Sequence, residues 1–204
     1  MPSRASSFSP PGRVSQNMKE AIERRKPQGI ADHAALAVTT FGVGYLPLAP
    51  GTWGSMVGVL IYLGVGWTDS LWDHHFAPGH GLAPVESAAI SHAVIVVGFL
   101  AFCLAGVRAA GRSTNLLGNT DPPQAVVDEV IGQLIVFLFI PFTFSWQLIL
   151  AGFLLFRLFD IWKPYPIDYL QGLPAGIGVC ADDILAGVYA GVCLAVIYAV
   201  TLSL

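Results

Sequence analysis

The chain predicts an all-α fold, a polytopic integral membrane helical bundle with short re-entrant or hairpin helices, on three observations. Its 204 residues are 54% hydrophobic, with a mean hydropathy of +0.65. Only 11% are charged, against about 25% in an ordinary soluble domain. The apolar residues gather in runs, near Ser55 to Trp67, Ala88 to Val107, Val130 to Ile140, Trp146 to Phe159 and Ile184 to the C-terminus. About 20 apolar residues cross a bilayer squarely, so the third and fourth runs are short.

Residues 1 to 28 stand apart from the rest. Arg4, Arg13, Lys19, Arg24, Arg25 and Lys26 face only Glu20 and Glu23, among several Ser and Pro. No apolar stretch of the kind found in a signal peptide is present there. The segment reads as a basic cytoplasmic tail, either disordered or folded around "MKEAIERRK" into a short helix on anionic lipid. Residues 29 to 204 make the membrane-embedded domain. Its first stretch, "ADHAALAVTTFGVGYL", leaves two options, a half-buried or re-entrant helix and a full span.

Beyond Lys26 the basic residues are Arg108, Arg112, Arg157 and Lys163. The positive-inside rule puts the tail in the cytoplasm, leaves the Lys- and Arg-free loop "TDSLWDHHFAPGHGLAPVES" outside, and returns Arg108 and Arg112 to the cytoplasm. Pro141, in "PFTFS", interrupts the next apolar stretch. Two helices forming a hairpin there keep Arg157 and Lys163 cytoplasmic, and the last run then exits. His74, His75 and His80 of the outer loop could bind a metal or simply be solvated. Cys103, Cys180 and Cys193 show no metal-ligand spacing and predict no disulfide framework. Cys180, close to the cytoplasmic ends, is expected to be within reach of thiol reagents.

On this topology four polar clusters share the cytoplasmic side: "GVGYLPLAPGTWGS", "DPPQAVVDEVIG", "FRLFDIWKPYPI" and "GIGVCADDILAG". They hold six carboxylates, Asp121, Asp128, Glu129, Asp160, Asp182 and Asp183. Acids at helix N-termini cap free N–H groups and complement the helix dipole, which accounts for Asp121, Asp128 and one of Asp182 or Asp183. It fails for Asp160, near a helix C-terminus. Nor does it explain why a charge-poor chain gathers acids at one bilayer level, where each is costly unless paired or metal-bound. A carboxylate cage for a hard divalent cation does.

Arg157, Asp160 and Lys163 descend one side of a helix, so Asp160 can touch both neighbours. They form either a neutralised triad at a helix end or a pair of phosphate ligands oriented by Asp160. In "APGTWGS", Thr52 and Ser55 lie just where an apolar helix starts, and such a start is an anion site as well as a place for close packing.

The four clusters, in this order, resemble the successive motifs of the phosphatidylglycerophosphatase A family, over roughly residues 31 to 203. The resemblance implies a helical, Mg²⁺-dependent enzyme that removes the terminal phosphate of phosphatidylglycerophosphate to give phosphatidylglycerol. It implies a multi-pass protein of the bacterial inner membrane with its active site facing the cytoplasm. The family's acidic motif positions match Asp121, Asp128, Glu129, Asp160, Asp182 and Asp183, the expected catalytic set. Asp128, Glu129, Asp160 and Asp183 are the expected metal ligands, and Thr52, Ser55, Arg157 and Lys163 the expected substrate ligands. The expected partners are a phospholipid substrate and membrane lipids, with no nucleic acid. The chain departs from the family pattern at Val179 to Ala181, where a methionine and an apolar residue are common.

Other classes fit less well. An ion or divalent-metal transporter would place its acids near the bilayer midplane on broken helices, whereas these lie at segment ends. A CDP-alcohol phosphotransferase needs D-G-x-x-A-R, and a histidine-type lipid phosphatase needs K-x6-R-P and S-G-H; none is present. Direct attack by water and an aspartyl-phosphate intermediate both remain open for the chemistry.

Overall fold

The computed structural model describes residues 23–119, 122–167 and 175–203, the last with only the backbone of 175–179. Asp121 and most of the basic tail lie outside the described residues. Six α-helices organise the rest: α1 Ile30–Thr40, α2 Pro50–Leu71, α3 Pro84–Leu117, α4 Val127–Phe137, α5 Trp146–Trp162 and α6 Ala175–Ser203. No strand occurs among the described residues.

Helix ends follow local chemistry. α2 and α3 each begin with a proline in the first turn, where no backbone N–H is needed and φ is already helical. α3 closes on Gly118, whose φ of +77° lets its N–H bond back to the Thr114 carbonyl. α5 closes in the same way on Lys163, at φ +46°, with Pro164 next. Three helices run further than their apolar runs. α2 starts at Pro50, α3 continues past Arg108 and Arg112, and α6 starts at Ala175. Asp182 and Asp183 therefore lie two turns inside α6, and N-terminal capping does not explain them.

α3 and the Cys180–Ser203 part of α6 are long and apolar enough to cross a membrane. Val94, Val97, Leu100 and Leu104 of α3 are exposed, a stripe that water would not tolerate and lipid does. The chain is a membrane protein on these grounds. α1, by contrast, has 11 residues and is about 16 Å long, too short for a hydrocarbon core of about 30 Å. Of the two options for this stretch, the full span is excluded by length.

Close approaches at glycines fix the packing. A Cβ at Gly54 of α2 would lie 2.8 Å from Val126, and one at Gly58 2.8 Å from Gln133, while Tyr62 stacks on Phe137 at 4.2 Å. Rising numbers meet rising numbers, so α2 and α4 are parallel. Gly132 of α4 faces Asp183, and Phe139 faces Gly191, so α4 and α6 are parallel too. Gly132 also faces Phe156, and Phe137 faces Gly152, which makes α4 and α5 an antiparallel hairpin. Phe156, Val136, Ala190 and Leu194, each 0% exposed, fill the space between them.

The hairpin predicted at Pro141 is therefore present, and Tyr62 ties its tip. The Tyr62 hydroxyl accepts from Thr143 N at 2.9 Å and donates to Thr143 O at 3.1 Å. The outcome of this packing is that α2 and α4 begin, and α5 ends, at one end of the bundle. Three of the four polar clusters meet there, joined by Asp182 and Asp183 of α6.

The end of the basic segment is anchored. Asp32 of α1 is fully buried and accepts from Arg112 Nε at 2.6 Å, Arg25 Nη2 at 3.0 Å and Gln28 N at 2.7 Å. Arg25 N also bonds Asn115 O, and Arg24 Nε bonds Leu116 O. These donors, the Gln28 N–H first and then Arg25, hold the Asp32 carboxyl well below the usual carboxylate range. Its contribution is complete above the unfolded carboxylate pKa of about 3.9 and fades only as pH falls through the depressed folded value.

Residues 23–28 are thus a strap that ties the end of the basic segment to α1 and α3. Removing residues 1–22 is expected to leave the thermal midpoint in detergent unchanged, and removing residues 1–28 to lower it by several degrees. Equal midpoints for the two truncations would show that the strap carries no stability.

Candidate active site

α4 starts with its two acids in its first turn. Asp128 and Glu129 follow the N-cap residue Val126, whose N–H bonds Thr39 O of α1 at 2.9 Å. That bond fixes where the helix begins. α6 lies parallel to α4 because Gly132 and Gly187 remove the side chains between them, and it brings Asp183 alongside. Carboxylate oxygens of Asp128, Glu129 and Asp183 all lie within 4.8 Å of one another. Asp128 and Asp183 are 7% and 4% exposed. Among the described residues this is the one group of acids, histidines and cysteines drawn so close; the outer-loop histidines form no such group.

The basic residues stand beside it. Arg157 Nη1 donates to Asp160 Oδ2 at 2.5 Å, and Lys163 Nζ donates to Asp182 Oδ2 at 2.5 Å. Asp160 Oδ1 lies 3.9 Å from Lys163. Asp160 thus pairs with both neighbours, as its spacing predicts. Asp160 holds Arg157, while Lys163, turned by its positive φ, reaches across to α6. Burial alone would lower the Lys163 pKa, but its hydrogen bond to Asp182 and the fields of Asp182, Asp183 and Asp160 raise it above the ordinary lysine value. Asp160 is outside the three-carboxylate group, although it is close enough to interact with both Glu129 and Asp183.

The start of α2 closes the site from the third side. A side chain at Gly51 would collide with Glu129 Oε1 and Arg157 Nη1. The first turn of α2, carrying half-exposed Thr52, therefore sits directly against the acid and the arginine. Ser55 is fully buried, but its hydroxyl donates to its own helix at Gly51 O, 2.9 Å away. As placed, it does not offer its proton to a substrate.

One sequence expectation changes here, and one residue is added. Cys180 is 1% exposed and packs with Ala110, Val127 and Ile131, so thiol reagents do not reach it in the folded protein. Gln133, fully buried one turn beyond Glu129 on α4, drew no attention in the sequence. Its spacing of four from Glu129 was the available signal.

The donor set suits a hard cation. Five acids, Asp128, Glu129, Asp160, Asp182 and Asp183, surround two bases, Arg157 and Lys163, leaving the site in deficit of positive charge when all are ionised. Glu129 Oε2 and Arg157 Nε are buried with no partner among the described protein groups. Buried polar atoms of this kind mark the place of a ligand. All-oxygen ligation fits Mg²⁺ or Mn²⁺, whose short bonds need carboxylates gathered this tightly.

Comparison with known proteins identifies the family. The family model of phosphatidylglycerophosphatase A matches residues 36–198. A Haemophilus influenzae phosphatidylglycerophosphatase A is 36% identical over 157 residues, 76% of this chain and 82% of the relative. The Escherichia coli protein of the same name is 31% identical over 154 residues, 75% of this chain and 76% of its own length. A Bacteroides thetaiotaomicron protein provisionally named phosphatidylinositol-3-phosphatase is 35% identical over 159 residues, 78% of this chain and 89% of its own. No solved structure matches. With four-fifths of its length covered by the family model and its acids gathered at one end of the bundle, the chain belongs to the phosphatidylglycerophosphatase A family.

Proposed function

We propose that the protein is a Mg²⁺-dependent phosphatase that hydrolyses phosphatidylglycerophosphate to phosphatidylglycerol and phosphate. The observation that carries this reading is the group Asp128, Glu129 and Asp183, buried beside Arg157 and Lys163. The family's own name supports the substrate. The transporter alternative is disfavoured by position, since Asp128 and Glu129 stand in the first turn of α4 rather than at a helix break in mid-bundle.

Asp128, Glu129 and Asp183 would hold the cation, with Asp160 at its edge. Bound there, Mg²⁺ neutralises phosphate charge and lowers the pKa of a water. The protein's own groups do the rest. Arg157, aimed by Asp160, and Lys163, aimed by Asp182, contact the non-bridging oxygens of the phosphomonoester. The first turn of α2 lies against the same space, and the positive end of its helix dipole favours the same charge. A water oxygen attacking in line with the ester oxygen forms a bond to phosphorus as the P–O bond to the glycerol breaks, and the proton the water gives up ends on the departing alkoxide. Direct attack by water inverts a chiral phosphorus, whereas an aspartyl-phosphate would retain it.

The proposed placement is in the bacterial inner membrane, multi-pass, with this end of the bundle in the cytoplasm. Arg24, Arg25 and Arg112 gather at the same end as the site, through Asp32 and the α3 C-terminus, as the positive-inside rule requires.

The test is phosphate release by purified protein in detergent. Phosphatidylglycerophosphate, phosphatidic acid and phosphatidylinositol 3-phosphate are compared, each with Mg²⁺ and with EDTA. Release from the first substrate that EDTA abolishes supports the reading, and equal turnover in EDTA sinks it. A preference for the inositol lipid would move the substrate toward the name of the Bacteroides relative.

Lys163→Met is expected to raise KM about tenfold with a smaller change in kcat, because a phosphate is charged in ground and transition states alike. A fall in kcat at unchanged KM would assign Lys163 to the chemical step instead.

A further inference from the structure

Glu129 and Gln133 follow one another on the face of α4 turned toward α2. Gln133 is 0% exposed, and neither its amide oxygen nor its amide nitrogen has a partner among the described protein groups. Glu129 Oε2 is buried and unpartnered as well. Residues four apart are neighbours on a helix, and a helical side chain leans back over the preceding turn. Gln133 therefore leans toward Glu129.

The opposing wall is the glycine backbone of α2. A Cβ at Gly54 would lie 3.3 Å from Glu129 Cβ, and one at Gly58 2.8 Å from Gln133 Cβ, so α2 sends no side chain between them at either point. The hydroxyl on the same α2 face, Ser55, gives its proton to Gly51 O. A leucine or methionine would fill the Gln133 volume without placing an amide in an apolar interior. An unmatched amide is costly there, and its position one turn beneath an acid of the site gives it a use.

We propose that Gln133 is a positioning residue. Its Nε2–H reaches the free Oε2 of Glu129 through one internal water, and so fixes the carboxylate that faces the cation. The proposal rests on the cation-dependent phosphatase reading above. It adds a residue that acts through Glu129 and touches no substrate.

Mn²⁺ binding to purified protein in detergent, followed by electron paramagnetic resonance, tests it without reference to turnover. Gln133→Leu and Gln133→Met are expected to bind Mn²⁺ about 10- to 100-fold more weakly, the usual effect of removing a partner of a metal-ligating group. Their melting temperatures without metal are expected to equal or exceed that of wild type, because an unmatched amide has been removed. Gln133→Asn, which keeps the amide on a shorter stem, recovers part of the affinity.

Leucine or methionine variants that bind Mn²⁺ within twofold of wild type would overturn the proposal. So would failure of both to fold, which would make the amide purely structural. Wild type that binds no Mn²⁺ would overturn it together with the cation site. Wild type that binds Mn²⁺ and releases phosphate from none of the lipids would overturn the phosphatase reading, while the ranking of affinities still decides the role of Gln133.

Discussion

Asp183→Asn is expected to release phosphate at about one hundredth to one thousandth of the wild-type rate, in a protein that remains folded. Asp183 is 4% exposed and shares its space with Asp128 and Glu129. Asparagine keeps the shape and removes one of three like charges. Without a compensating cation, three buried carboxylates repel one another, so the variant is expected to melt at or above the wild-type temperature in EDTA. With Mg²⁺ present, wild type gains stability by mass action and the variant gains little. Thermal melts with and without Mg²⁺, alongside phosphate release, read both effects. Retention of half the wild-type turnover at saturating Mg²⁺ would remove Asp183 from the mechanism.

Gly132→Ala is expected to lose both stability and activity, although the change adds one methyl group. That carbon would stand 2.5 Å from Phe156 Cε2 and 2.6 Å from the Asp183 carbonyl. Phe156 is 0% exposed and locked in the core, and the carbonyl belongs to the backbone of α6. Neither can rotate away, so α4 must separate from α5 and α6. Overpacking of this kind costs about 1–3 kcal/mol. The same shift moves Asp183 away from Asp128 and Glu129, and a misplacement of about 1 Å can cost ~10²-fold in rate. Gly64→Ala is the control. A Cβ there meets nothing within 4 Å, and relief of glycine's backbone entropy is expected to make it neutral or stabilising by up to about 1 kcal/mol. If the two variants melt alike, the packing described for α4 is wrong.

Much of this arrangement was legible in the chain. Pro141 announced the break between α4 and α5, and the runs of apolar residues located α2, α3, α5 and α6, since both signals are local. The gathering of acids at one end followed from counting which side each run returns to. Helix ends were less legible. Gly176 and Gly178 carry a helix-propensity cost of about 1 kcal/mol each, yet the backbone is helical from Ala175. That longer helix removed the capping account of Asp182 and Asp183.

Long-range partners were not legible at all. Asp32 meets Arg112 across 80 residues, and Lys163 hydrogen-bonds Asp182 across 19 while Asp160, three residues away, pairs with it more loosely. Nothing in the local pattern around Asp32 or Asp182 specifies either pairing. Gln133 offered only its spacing of four from Glu129, and that spacing gains meaning once its amide is found buried and unmatched.

The short hairpin tied by Tyr62 has a consequence for how the protein meets bilayers of different thickness. α4 has 11 residues and so reaches about 16 Å from the site, roughly half of a hydrocarbon core. In the proposed placement its tip ends in mid-bilayer, with Leu138, Phe142 and Phe144 exposed to acyl chains. The Tyr62 hydroxyl satisfies both backbone polar groups of Thr143, which hydrocarbon would leave unmet. A helix that stops halfway has no far end to match to the opposite leaflet. Thickening or thinning of the membrane is then absorbed by tilt of α3 and of the distal part of α6, while Asp128 and Glu129 hang from the near leaflet alone. The depth of the acids would be set against the headgroups of the leaflet that holds the substrate, whatever the length of the acyl chains beyond.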